Sequence, residues 1–143
     1  MKPGTPVHVA QSKGTPVISL SGNPAACMTT FHLLLVPALL TKTCAKDIQE
    51  NIHSNKECND RILDKSFPTF LAQEIKKKKT SMWRFLRGRS WIGEDGRYYC
   101  KPIAKEKSSM LKTMMWENGY IVIPPDSNDV TTGDRVQFIP IDK

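Results

Sequence analysis

Apolar and polar positions alternate in short blocks over most of this chain, with one longer helical stretch near the start. Val7-His8-Val9 and Val17-Ile18-Ser19-Leu20 are β-type runs, and the polar stretch Gln11 to Gly14 between them suits a hairpin-type loop. Ser21-Gly22-Asn23-Pro24 then opens an apolar-rich helix. Asn23 is a good N-cap, because its side-chain oxygen can accept an orphan backbone N–H. Pro24 fits the first helical position, where its missing donor costs nothing. The helix is expected to run to about Pro37 and to kink or restart there, since Pro37 removes an internal hydrogen bond.

The pattern then lapses. Cys44 to Phe67 mixes Asp, Glu, Asn and Lys with isolated apolar residues and reads as a polar linker or insertion, in which Ile48, Ile52 and His53 could share one face of a short helix. From there on the chain reads as β-rich. Phe67 to Ile75 and Met82 to Ile92 are strands joined across the lysine run Lys76 to Lys79. Glu94-Asp95-Gly96 supplies an Asp-Gly turn into a strand over Tyr98 to Ile103. Ser108 to Asn118 is a short helix or turn, Tyr120 to Ile123 a strand stopped by Pro124-Pro125, and Arg135 to Ile141 a last strand after the Thr132-Gly133-Asp134 turn. Close spacing of short strands predicts a small β-barrel or sandwich. The fold class is thus an α/β strand–turn–helix segment followed by a mainly-β barrel domain, with expected boundaries at 1–43, 44–67 and 68–143.

Charge sharpens that division. The three sections carry +3, −1 and +5, within a formal net charge of +7 over 143 residues. Hydrophobic residues at 39% are enough for a packed core. No apolar run approaches the ~20 residues that span a bilayer, and Met1-Lys2-Pro3-Gly4 begins no secretory signal. The expectation is a cytoplasmic protein without membrane insertion. Cys27, Cys44, Cys58 and Cys100 form no Cys-x-x-Cys pair and read as free thiols, with no zinc site. His8, His32 and His53 are scattered, and no P-loop, Gly-rich dinucleotide fingerprint or Ser-His-Asp arrangement is present.

Lys2-Pro3-Gly4, Leu20-Ser21-Gly22-Asn23-Pro24 and Asn118-Gly119-Tyr120-Ile121-Val122-Ile123-Pro124 occur in this order. Together they resemble the C-terminal part of the MoeA family, the molybdopterin molybdenumtransferases, which includes the E domain of gephyrin. The resemblance implies that residues 1–43 are the tail of a molybdopterin-binding α/β domain and 68–143 the C-terminal barrel. It implies a role in molybdenum cofactor biosynthesis, inserting molybdate into adenylylated molybdopterin with release of AMP. Mg2+ and a homodimer are implied for the full-length family enzyme. The chain is read as that enzyme's C-terminal portion, without activity or cofactor of its own.

The same resemblance names the site residues. Lys2 matches the lysine of the family's Lys-Pro-Gly segment, where an ammonium suits a phosphate or molybdate. Gly22, Asn23 and Pro24 match its Gly-Asn-Pro loop, a helix-opening turn that can hold an anion; Ser21 stands where the family usually has proline. Arg87 matches a cleft-facing arginine of the barrel, with Arg89 on the same face of the strand. Ser108 matches a serine near the same pocket. No catalytic residue and no metal ligand is assigned.

Two other readings compete. A gephyrin-like dimerisation and peptide-binding module would use the apolar cluster of Met110, Leu111, Met114, Met115 and Trp116. Lys76–Lys79 with Trp83, Arg84, Arg87, Arg89 and Trp91 interleaves bases and aromatics as single-strand binders do. A lysine run is ordinarily a solvated hairpin tip, however, and the net charge is modest, so no nucleic-acid partner is expected.

Overall fold

A two-residue turn sets the first element. Lys13 and Gly14 both have positive φ, at 49° and 80°, the backbone that lets a tight turn follow the twist of its strands. β1 (His8–Ser12) and β2 (Thr15–Ser19) therefore pair antiparallel from Ser12↔Thr15 to His8↔Ser19. The hairpin is tighter than the pattern suggested, because Gln11 and Ser12 join the strand. The computed structural model describes residues 2–3, 7–41, 63, 65–76, 80–103, 116–125 and 127–141. The readings over 44–62, Lys77–Lys79, and Ser108 with its methionine cluster lie outside them.

Asn23 caps α1 (Pro24–Thr30) as its position predicts, with Oδ1 accepting from the Ala25 and Ala26 N–H groups at 3.0 and 3.5 Å. The expected kink takes the form of a π-helical segment, Phe31–Leu35, which leads into α2 (Val36–Thr41). Pro37 offers no N–H to the preceding turn, and widening that turn accommodates the missing bond without ending the helix. The helix accordingly continues past Pro37.

Five strands close a barrel: β3 (Phe67–Leu71), β4 (Arg84–Ile92), β5 (Tyr98–Pro102), β6 (Gly119–Ile123) and β7 (Arg135–Pro140), in the order β3-β5-β4-β6-β7. β7 returns to pair with β3. The Phe67–Ile75 and Met82–Ile92 runs are not neighbours across the lysine segment. β5 lies between them, parallel to β3 and antiparallel to β4. Ile75 leaves the strand after Leu71 and makes an isolated bridge with Val130.

Period-two alternation sorts the side chains into two layers. Leu71, Ile75, Cys100, Ile121, Ile123, Val136 and Phe138 fill the barrel interior, with Leu86 against them. Phe85, Tyr120, Val122 and Ile139 point outward and are covered by Leu33 of the π-helical segment, with Leu34 and Trp83 at the margin. β6 is buried at every position because both of its faces are packed. No helix among the described residues is long and apolar enough to cross a membrane. Cys27 and Cys100 are free thiols.

Candidate anion-binding site

Arg87 stands on the outer face of β4, in line with Phe85 and Arg89, while Arg84, Leu86 and Gly88 belong to the opposite face. It opposes Tyr120 in the β4–β6 register. Its guanidinium is already engaged: Nη1 lies 3.3 Å from Glu117 Oε2, with side-chain exposures of 10% and 3%. A carboxylate this buried is tolerated because a cation shares its surroundings. Sequence reasoning missed Glu117. An acid just before the Asn118-Gly119 turn was visible, but its partner thirty residues earlier was not.

The Tyr120 side chain connects this pair to the helix. Its hydroxyl lies 2.9 Å from His32 Nδ1 and is hydrogen-bonded to Thr29. Burial pushes the Tyr120 hydroxyl above its ordinary pKa, so it stays a neutral donor and acceptor. Burial also lowers the pKa of His32 below 6.5, which keeps the imidazole neutral beside it. The guanidinium therefore faces a seam between helix and barrel lined by one acid and three neutral polar groups.

The other predicted residues take different places. Lys2 is exposed and enters the sheet through its backbone: its N–H donates to the Trp83 carbonyl and its carbonyl accepts from the Phe85 N–H, both at 2.8 Å. The resulting parallel bridge pairs it with Arg84, which puts its side chain on the face of β4 away from Arg87. Gly22, Asn23 and Pro24 are exposed. Asn23 itself satisfies the first helical N–H groups that an anion would use. Asn23 stands six positions before Thr29, roughly 9 Å along the helix. Ser108 lies outside the described residues. The arrangement thus brings Arg87 together with Glu117, Tyr120, His32 and Thr29, rather than with Lys2.

Of the bases and aromatics considered for nucleic acid, Arg84 is buried and reaches the Lys76 carbonyl at 3.5 Å, and Trp83 packs against the outer core. Of the described members of that set, Lys76, Arg89 and Trp91 are exposed, the last two on the outer face of β4. No group of three or more His, Cys, Asp or Glu placed to hold a metal occurs among the described residues. The buried acid nearest the seam, Glu117, is committed to Arg87. The described residues therefore do not fit the Mg2+ that the resemblance implies for the full-length enzyme.

A closed five-stranded barrel preceded by a hairpin and a capped helix is a fold that this chain shares with solved MoeA proteins. Residues 71–141 match the family model for the MoeA C-terminal region (domain IV). The molybdopterin molybdenumtransferase of Bacillus subtilis is 28% identical over 141 residues, covering 99% of this chain and 29% of that protein. The enzyme of the same name from Staphylococcus aureus (strain Mu50) is 25% identical over 142 residues, covering 97% of this chain and 29% of that protein. Among solved structures, a molybdopterin biosynthesis MoeA protein from Pyrococcus horikoshii superposes with a TM-score of 0.62 at 23% identity, over 96% of this chain and 29% of its own. A molybdenum cofactor biosynthesis protein from Pyrococcus furiosus gives 0.60 at 22%, over 96% and 41%. The chain belongs to the MoeA family and corresponds to its C-terminal region. It spans under a third of the length of these curated relatives.

Proposed function

We propose that this chain serves molybdenum cofactor biosynthesis as the barrel-bearing, C-terminal portion of a molybdopterin molybdenumtransferase. In this reading the complete enzyme inserts molybdate into adenylylated molybdopterin and releases AMP, as a cytoplasmic homodimer that uses Mg2+. The observation that carries the reading is the family match together with Arg87, a guanidinium held on the outer barrel face at a polar seam. Its planar fork suits the oxygens of a phosphate or of molybdate, which enter as substrate. Glu117 holds that fork in place beforehand and yields one of its donors when the anion arrives. Catalysis of this kind rests on positioning anions and on fixed charge. The 143 residues alone bind the pterin without turning it over.

The test mixes the purified chain with adenylylated molybdopterin and molybdate and follows both ligand binding and AMP release. Binding without AMP release is expected. Arg87→Ala should weaken binding about tenfold, the loss of one charge-assisted contact, and the solvent-exposed Lys13→Ala should not. Equal effects of the two substitutions would remove Arg87 from the site, and AMP release by the chain alone would overturn its assignment as inactive.

A further inference from the structure

Beyond Arg87 the outer face of β4 continues into a second cluster that the transferase reading does not use. Register sets Arg89 opposite Lys101 and Trp91 opposite Tyr99, so these four side chains stand together on the outside of the barrel. Arg89, Trp91, Lys101, Ile103 and Trp116 line a groove of about 490 Å³, within the range of small-molecule sites. Arg89 and Lys101 are exposed, and neither makes an ion pair among the described residues. Glu117, next to Trp116 in the chain, is turned to Arg87.

The aromatics are the second observation. Trp91 is 38% and Trp116 63% exposed, two large apolar rings beside a charged pair. Trp91 stacks on Tyr99 with ring centroids 6.1 Å apart and an interplanar angle of 25°. One face of the indole is thereby braced and its orientation fixed in advance. A braced indole offers a stacking surface for a flat heterocycle, and a guanidinium with an ammonium suits a single phosphate group. Two cations match one phosphate rather than a polymer backbone, and the groove volume matches one nucleotide. An acidic peptide would use the charges but leave the two indoles without a flat partner.

We propose that this groove binds a purine mononucleotide, its base against Trp91 and Trp116 and its phosphate between Arg89 and Lys101. Ile103 adds an apolar side chain to the lining. These side chains, with Tyr99 behind Trp91, stand apart from the Arg87 seam.

The test titrates the whole chain with GMP by calorimetry and indole fluorescence; AMP is set aside because it is the leaving group of the proposed transfer reaction. One saturable site with quenched fluorescence is expected. Guanosine and ribose 5-phosphate, each carrying half of the ligand, should bind at least about tenfold more weakly. Trp116→Ala and Lys101→Ala should each lower GMP affinity about tenfold, the lower end of a lost stacking or phosphate contact, with thermal midpoints unchanged because both side chains are exposed. Absence of saturable binding at millimolar GMP would overturn the proposal. So would affinity that falls with Arg87→Ala but not with these two, which would move the site to the seam. A short single-stranded oligonucleotide that binds more than about tenfold tighter than GMP, with steep salt dependence, would replace a mononucleotide by a polymer and overturn it as well.

Discussion

Leu33 is the side chain through which the helix docks on the barrel, and truncating it should separate the two. It is 3% exposed and packs in the cluster formed with Phe85, Tyr120, Val122 and Ile139. Leu33→Ala removes three carbons. At about 0.8 kcal/mol per buried methylene the transfer loss is about 2.4 kcal/mol, and the cavity left against three β-strands raises the total to about 3 kcal/mol. For a chain of 143 residues this corresponds to a fall in Tm of roughly 12 °C. Leu39, six residues on in the same helix, is 57% exposed, and Leu39→Ala should change stability by no more than about 0.5 kcal/mol. Denaturant unfolding gives both numbers, and hydrogen exchange locates the loss. Amides of 24–41 should lose protection in Leu33→Ala while those of β4, β6 and β7 keep theirs. A loss under about 1 kcal/mol, or equal losses at the two leucines, would refute docking through Leu33 and with it the seam that holds Arg87.

Two further outcomes follow from the same packing. Gly119→Ala would drive a Cβ into the Ile139 carbonyl and the Phe138 ring; since a backbone carbonyl cannot swing aside, destabilisation should reach or pass about 3 kcal/mol, measured by the same unfolding curves. His32 has a folded pKa below its unfolded 6.5 because burial disfavours the imidazolium. The unfolded state therefore takes up the proton first, and the stability that neutral His32 contributes is complete above pH 6.5 and is lost as pH falls below it. Unfolding midpoints between pH 7 and 5 should show a decline that His32→Gln makes shallower; an unchanged slope would show that His32 does not report on the helix–barrel contact.

Local chemistry was legible in the residues, and pairing at a distance was not. Asn23 and Pro24 announce the start of the helix because capping depends on the immediate neighbours alone. Asp95-Gly96 announces the β4–β5 turn because Gly96 takes a φ of 74°. Alternation placed Arg87 and Arg89 on one face, as the structure has them. The barrel order was beyond reach, since β3 takes its neighbours from β5 and β7 rather than from the next strand in the chain. Pairing of that kind is decided by how all five strands share one interior. The same limit hid the Arg87–Glu117 pair, and the bridge that turns Lys2 toward the face of Arg84.

The parallel β3–β5 contact has a bearing on how the molecule is made. β3 bonds to β7 along four residues and to β5 along two, so the first barrel strand to leave the ribosome acquires its principal neighbour last. Until Arg135–Pro140 has emerged, β3 and β6 each present an open flank. Synthesis from N- to C-terminus thus delays ring closure to the final step, and a nascent chain halted before residue 135 would expose sheet edges fit for adventitious pairing.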